Sequence, residues 1–249
     1  MRTTRNRAAQ VRKAKVAAGL SIVLAALIAI ATLTVPHEVQ RIRANPTQGR
    51  LYEEPVAVVE ETGEEVAGID WDYWASVNPD IVGWITIPGT PIDYPIVQAR
   101  PDDPTHYLNY DVYGNYNIYG CVYVDSACTF GSANVIIFAH NMGNYDDSMF
   151  TTLTYYLDPA YLATHEQVVI QTPQGTRSLK VRAAESVSPY GYEKRVAFSS
   201  VEGLRGFYLE VWEGADSRSS EPCAEEIDQL FTLITCAKGG AVRAVVYVG

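Results

Sequence analysis

The sequence has few cysteines and histidines, the usual ligands of structural zinc, and none of them in a metal-binding arrangement. Its 249 residues include only four cysteines and four histidines, with no Cys-x-x-Cys pair and no cluster of histidines. Structural zinc sites need such groupings, so we expect neither a metal nor another cofactor. Internal repeats and low-complexity tracts are also missing. The apolar content of 47% is enough for a sizeable core in one or two domains.

Acidic residues are missing from the first 15 positions, and basic residues are scarce after them. Residues 1–15 carry six cations and no acid, whereas the remainder carries 13 cations and all 29 acids. The remainder therefore has a formal charge of −16, within a total of −10. Such an acidic domain offers no basic stripe to phosphates, which excludes nucleic acid as a partner.

No charge interrupts residues 16–35, which are long enough to cross the bilayer interior of about 30 Å. We expect a transmembrane signal-anchor here, with residues 1–15 as a basic cytoplasmic tail, because cations favour the inner side. Residues 36–249 would then lie outside the cell, on a single-pass protein of the cell membrane. A cleaved secretory signal is the alternative, although its apolar region is normally only about 7–15 residues.

The chain after the apolar segment divides into a stalk and a folded domain. Residues 36–69 are rich in Glu, Val and Thr without a sustained period, which is typical of an extracellular linker. Short apolar runs separated by Pro and Gly turns then predict strands, among them residues 119–125, 134–139, 167–171 and 177–183. Residues 200–213 form an amphipathic helix capped by Ser199 or Ser200. The pattern predicts a mostly β, closed domain with accessory helices.

The C-terminal residues 231–249 contain the first candidate for chemistry. Gly239-Gly240 between two β-branched runs predicts a hairpin with a two-residue turn. The register of that hairpin puts Cys236 opposite Arg243, with Cβ atoms about 4.5–5.5 Å apart on one face. A neighbouring guanidinium favours the thiolate, which is the nucleophilic form of cysteine. The alternative is a buried structural cysteine beside a solvated arginine.

His140 is the candidate base, because it ends the buried apolar run of residues 134–139, and strand ends present working groups. The other histidines lie beside the membrane, in a polar loop and in a charged turn. A structural histidine remains the alternative. An exported domain also permits disulfides, and Cys121 and Cys128 would close a short loop, although spacing cannot establish that pairing.

Several segments, in this order, resemble class B sortases. They are Asn-Pro-Asp-x-x-Gly-Trp at the start of residues 78–98, Asn-Val-Ile-Ile-Phe-Ala-His-Asn-Met at 134–142, Ser-Met-Phe at 148–150 and Thr-Leu-Ile-Thr-Cys at 232–236. The helix at 200–213 is similar to the class B insertion between the sixth and seventh strands. The resemblance covers roughly residues 70–249, and it implies a closed eight-stranded sortase-type β-barrel as the catalytic domain.

The activity that this resemblance implies is transpeptidation on the surface of a Gram-positive bacterium. Cys236 would attack a carbonyl in the C-terminal sorting signal of a surface protein or pilin and form a thioacyl enzyme. An amine from a peptidoglycan precursor or a pilin lysine would resolve it. His140 would exchange protons with the two amines, while Arg243 and the backbone N–H of Ala237 would hold the oxyanion.

The resemblance also implies residues that line the peptide groove: Leu108, Ser188, Tyr192 and Thr235. Two positions depart from the family pattern. Pro104 stands where the family has a binding asparagine, and Ala237 follows the cysteine where an acid is common. Pro104 weakens any inference about which sorting signal is preferred, and Ala237 cannot take the role of the missing acid.

Two other function classes remain open. A papain-like peptidase places its cysteine first and at the start of a helix, whereas Cys236 follows His140 by 96 residues in a predicted strand. An L,D-transpeptidase has a Ser-His-Gly-Cys run, which is missing here. The non-enzymatic alternative is a membrane-anchored β-domain that serves as an adhesin or assembly partner.

Overall fold

A computed structural model describes residues 68–143, 146–190 and 194–249. Within these residues the strands are β1 Ile81–Thr86, β2 Asp93–Gln98, β3 Val122–Val124, β4 Asn134–Phe138, β5 Gln167–Thr172, β6 Gly175–Val187, β7 Ser217–Arg218, β8 Leu230–Ala237 and β9 Val242–Val248. The α-helices are α1 Trp71–Val77, α2 Pro159–Thr164 and α3 Val201–Gly214. Short 3-10 helices cover His106–Leu108, Thr151–Leu157, Ala224–Glu226 and Lys238–Gly240.

Eight of the strands close into a barrel. Their hydrogen-bonded order is β5-β1-β2-β3-β4-β8-β9-β6, and β6 pairs in turn with β5. The two-residue β7 adds a short edge to β6. The predicted eight-stranded barrel with accessory helices is therefore confirmed. In the part of the chain that the structure describes, no helix has the length and apolarity to cross a membrane. The predicted span at 16–35, and the tail before it, lie outside that part.

The C-terminal hairpin has the predicted register, with Cys236 facing Arg243 and Ala237 facing Val242. Gly239 and Gly240 have φ angles of 64° and 89°, and the N–H of Ala241 donates to the carbonyl of Lys238 at 3.3 Å. Positive φ at both central positions is what a type I′ turn requires, and glycine adopts it without strain. The two glycines therefore fix which residue lies opposite the cysteine.

Three other predictions hold with changed limits. Helix α3 begins after Ser200, whose hydroxyl accepts the N–H of Gly203 at 3.2 Å. The strand predicted at 119–125 shortens to β3, because the N–H of Cys121 donates instead to the carbonyl of Tyr107 at 2.8 Å. The strand predicted at 177–183 lengthens to β6, whose C-terminal part pairs with β9.

Three neighbouring strands become exposed at the same end of the barrel. Residues of β8 are buried throughout, with the single exception of Cys236. At the end of β4 the partly exposed residue is Phe138, and at the start of β9 the partly exposed residues are Val242 and Arg243. We call this end of β4, β8 and β9 the rim. Since continuous apolar runs form strands that are buried on both faces, partial exposure at the rim singles out its side chains.

Candidate active site

The strand register brings three chemically active side chains together at the rim. Strands β4 and β8 are parallel, and each pair from Asn134↔Leu230 to Phe138↔Ile234 is offset by 96 residues. The same offset, continued two residues past Phe138, puts His140 beside Cys236. Arg243 is the partner of Cys236 on the other side. Because directly opposed residues of an antiparallel pair share a face, the Cys236 thiol and the Arg243 guanidinium start from the same face, while His140 follows the end of β4 at the position next to Cys236.

A backbone carbonyl holds the imidazole of His140. Its Nε2 lies 2.8 Å from the carbonyl oxygen of Leu108. A carbonyl oxygen only accepts hydrogen bonds, so Nε2 carries a proton and Nδ1 is the nitrogen that can exchange one. The close approach of this loop requires Gly120, which has φ +57°. A Cβ there would lie 2.3 Å from the carbonyl oxygen of Tyr107 and 2.7 Å from that of Leu108.

The guanidinium of Arg243 has a donor without an acceptor. Its Nη1 is buried and makes no hydrogen bond within the described residues. Arg243 lies between Cys236 of β8 and Val187 of β6, its partners in the two ladders. A buried N–H without an acceptor costs about 1–3 kcal/mol, so it marks a position that an oxygen atom of a ligand would satisfy. A carbonyl or oxyanion on the Cys236 sulfur is such an oxygen.

Tyr123 is a fourth residue at this site, and the sequence analysis missed it. It pairs with Phe138, and the two rings stack with centroids 5.6 Å apart. Burial, followed by the charge of Asp125, raises the pKa of Tyr123 to about 12. Cys236 raises this pKa as well, whereas Arg243 lowers it. The tyrosine therefore lies within electrostatic reach of both residues. Its position in an apolar predicted strand did not indicate that it lies near Cys236 and Arg243.

Comparison with known proteins identifies the family of this chain. Residues 85–248 match the sortase domain. This chain belongs to the sortase family. Sortase B of Listeria monocytogenes is 29% identical over 162 residues, which are 64% of this chain and 64% of that protein. The match thus spans less than two thirds of the relative's length. The predicted resemblance to class B sortases is confirmed.

Solved sortase structures share the barrel. Sortase B from Bacillus anthracis in complex with AAEK2 aligns with a TM-score of 0.65 and 25% identity, over 88% of this chain and 95% of that one. The Staphylococcus aureus sortase B–substrate complex aligns with a TM-score of 0.62 and 25% identity, over 72% of this chain and 82% of that one. The domain boundary predicted near residue 70 remains a prediction.

Two of the other three cysteines of the sortase domain differ from Cys236 in burial. Cys121 and Cys128 are buried, and burial raises the pKa of both thiols. The Cys128 sulfur accepts the N–H of Ile136 at 3.3 Å. All four cysteines are free thiols, so the disulfide alternative for Cys121 and Cys128 is not realised. Buried thiols that stay protonated are poor nucleophiles. Of the four, only Cys223 and Cys236 are partly exposed.

Two of the predicted groove residues lie at or next to the rim of this sortase. Leu108 is partly buried and gives its carbonyl to His140, as described above. Ser188 is exposed and directly follows Val187, the ladder partner of Arg243. Its hydroxyl accepts the N–H of Tyr190 at 3.2 Å. Tyr192 lies outside the described residues.

Two further predicted substrate contacts, the side chain of Thr235 and the backbone N–H of Ala237, do not point toward the Cys236 side chain in the structure. The Thr235 side chain is 2% exposed, and its hydroxyl donates to the carbonyl of Ala139 at 2.9 Å. It lies on the opposite face of β8 from Cys236, because successive side chains alternate. Ala237 pairs with Val242, and strand alternation turns its N–H toward β9. That N–H would reach an oxyanion only if the last ladder pair opened.

Proposed function

We propose that this chain is a membrane-anchored cysteine transpeptidase with its catalytic domain outside the cell. It would cleave the C-terminal sorting signal of surface proteins or pilins and join the new carboxyl end to an amine of peptidoglycan or of a pilin lysine. The observation that carries the proposal is the register at the rim, where Arg243 is the cross-strand partner of Cys236 on one side and His140 follows the end of β4 on the other. The likeness to the S. aureus sortase B–substrate complex supports it.

The first half-reaction transfers an acyl group to the enzyme. The Cys236 thiolate adds to the carbonyl carbon of the sorting signal, and the C=O electron pair moves onto the oxygen. Arg243 Nη1, which has no acceptor among the described residues, donates to that oxyanion. The C–N bond then breaks, while Nδ1 of protonated His140 gives its proton to the departing amine. The products are a thioester on Cys236 and the released C-terminal segment.

The second half-reaction transfers the acyl group to the acceptor. An incoming amine attacks the thioester carbon, and neutral His140 takes the proton that the amine loses. The C–S bond breaks, which restores the Cys236 thiolate and leaves a new amide. Throughout, Nε2–H stays on the carbonyl of Leu108, so the ring keeps one nitrogen for proton transfer. Such positioned acid–base chemistry typically contributes about 10²–10⁴ in rate.

The membrane anchor depends on the sequence pattern of residues 16–35 and the six cations before it. An anchor at this position would hold the catalytic domain where exported substrates leave the membrane. The linker at 36–69 would set the distance between the barrel and the bilayer.

A peptide-library cleavage assay tests the proposed activity. Fluorogenic peptides that vary at the five sorting-signal positions are incubated with the wild-type protein and an amine acceptor, and products are identified by mass. We expect Cys236→Ala to abolish both cleavage and transfer, because no other described cysteine lies at the rim. Cys223→Ala is the matched control, since Cys223 is also a partly exposed free thiol, and it should keep full activity. Equal activity of the two variants would contradict the proposal.

A further inference from the structure

The segment that carries His140 is held in place after its strand has ended. Strand β4 ends at Phe138, so His140 lies beyond the regular ladder. The first connection past that end joins the N–H of Ala139 to the carbonyl of Ile234 at 3.4 Å. This bond is longer than a typical backbone hydrogen bond. Other groups must therefore fix the distance between the histidine and β8.

The Thr235 hydroxyl makes the next connection, to the Ala139 carbonyl, and Asn141 makes the one after it with its side chain. Its Nδ2 donates to the carbonyl oxygen of Cys236 at 2.7 Å, across 95 residues of sequence. Its Oδ1 accepts the N–H of Gly143 at 2.9 Å, which keeps the amide group in one orientation. The residue next to the histidine is thus hydrogen-bonded to the nucleophilic residue itself.

We propose that Asn141 is a positioning residue, which sets the separation of His140 from Cys236 and the orientation of the cysteine. Its amide takes the place of the backbone N–H that a longer β4 would have donated to β8. Because the peptide unit is planar, holding the Cys236 carbonyl toward β4 also fixes the Ala237 N–H on the β9 side. The backbone that carries the sulfur therefore cannot rotate freely. This inference rests on the proposed transpeptidase function.

The far side of the same segment is fixed as well. The carbonyl of His140 accepts the N–H of Phe150 at 2.9 Å, and the N–H of Met142 donates to the Thr151 hydroxyl at 2.8 Å. The segment is therefore bound to the helical region after residue 148 on one side. Asn141 supplies the side-chain connection to the nucleophile on the other.

The chemistry of this position requires an amide. Cys236 needs a donor for its carbonyl, and Gly143 needs an acceptor for its N–H, and only an amide of this length offers both. Aspartate has nearly the same shape but no donor when ionised. It would also add a negative charge beside the thiolate. Such a charge raises the pKa of a neighbouring thiol and of a neighbouring imidazole.

Asn141→Asp and Asn141→Ala test the proposal in the full chain, with steady-state kinetics on the peptide that the wild type cleaves best. We expect kcat to fall about 10²-fold in both variants, with KM within about twofold, since misplaced catalytic groups lose that much. The aspartate variant should also have its pH–rate profile moved to higher pH. Gln229→Glu is the matched control. Gln229 donates its amide to the carbonyls of Phe130 and Ser132 at 2.7 and 2.9 Å, just before β8 begins.

The outcomes separate positioning from general stability. The proposal is supported if kcat falls in the two Asn141 variants but not in Gln229→Glu, while the melting temperatures of all three variants change equally. Unchanged kcat in both Asn141 variants, or a loss that the control reproduces, overturns it. If the wild type cleaves no peptide, the proposed function fails instead. The rate at which a thiol probe labels Cys236 relative to Cys223 then tests the positioning: slower labelling of Cys236 in Asn141→Asp supports it, and unchanged labelling refutes it.

Discussion

Two arginines at opposite ends of the barrel differ in whether their buried N–H groups have acceptors. Arg182 of β6 lies at the end where the chain terminates, which we call the closed end. It is 7% exposed, with Nη2 2.6 Å from the Glu226 carboxylate and Nε 2.8 Å from the carbonyl of Gly249. At the rim, Nη1 of Arg243 is buried without an acceptor in the described structure. The Arg182 guanidinium is thus hydrogen-bonded within the fold, whereas Arg243 has a donor free for the substrate oxygen that we propose.

The cysteines show the same contrast. Cys128 packs in the core, where its sulfur accepts a backbone N–H and burial raises the pKa of its thiol. Cys236 is the partly exposed residue of an otherwise buried strand, and it has an arginine as its cross-strand partner. Position in the barrel, more than residue type, therefore separates structural from chemically active groups.

Replacing the rim arginine should have the largest effect on activity. In Arg243→Met the apolar part of the side chain stays, but no donor remains for the oxyanion. We expect kcat for peptide cleavage to fall about 10²–10³-fold. The melting temperature should stay the same or rise, because the change removes a buried N–H that makes no hydrogen bond within the described residues. Steady-state kinetics and thermal unfolding on the same preparation measure both effects.

Arg182→Met is the converse control for that experiment. It removes the bonds to Glu226 and Gly249, and we expect a loss of about 1–3 kcal/mol in the free energy of unfolding. The loss stays moderate because the Glu226 side chain is 58% exposed and remains hydrated. Cleavage by the folded variant should be close to wild type. A closed-end variant that lost as much kcat as Arg243→Met would remove the distinction between the two ends.

The smallest expected effect is on stability at alkaline pH, and it involves a tyrosine at each end of the barrel. Burial is the main cause that raises the pKa of Tyr123 at the rim and of Tyr208 near the closed end to about 12. Both hydroxyls ionise near pH 10 in the unfolded chain, so unfolding releases protons and stability falls as the pH rises from 10 toward 12. Below pH 10 neither tyrosine contributes to the pH dependence.

Tyr123→Phe isolates one of these contributions. The free energy of unfolding, taken from urea titrations between pH 9 and 11.5, should fall less steeply with pH in the variant than in the wild type. The two slopes should differ by at most about 1.4 kcal/mol per pH unit. An unchanged slope would show that the hydroxyl is not shielded from solvent in the folded protein.

Local patterns in the sequence predicted the part of this site that lies on the C-terminal hairpin. The Cys236–Arg243 pairing was predictable because two glycines fix a short hairpin, and the helix cap at Ser200 is equally local. Long-range contacts were not predictable from pattern. The Asn141 bond to Cys236 and the His140 bond to Leu108 join residues 95 and 32 positions apart.

The incorrect expectations also have physical reasons. Thr235 was expected in the groove, but strand alternation turns its side chain to the opposite face of β8 from Cys236, where its hydroxyl donates to the carbonyl of Ala139. The strand expected from residue 119 begins at Val122, since the preceding backbone approaches the loop of Tyr107 instead. Side-chain direction and strand limits depend on neighbours that are distant in sequence.

The most direct test of the central claim, that the rim activates one thiol, compares the labelling rates of Cys223 and Cys236. Both thiols are partly exposed, so a difference in rate reports reactivity more than access. Peptide mapping after brief exposure to a methanethiosulfonate reagent at pH 7 measures the two rates. We predict that Cys236 is labelled faster, and that Arg243→Met slows Cys236 but not Cys223. Equal rates in the wild type, or no effect of the Arg243 change, would contradict the account.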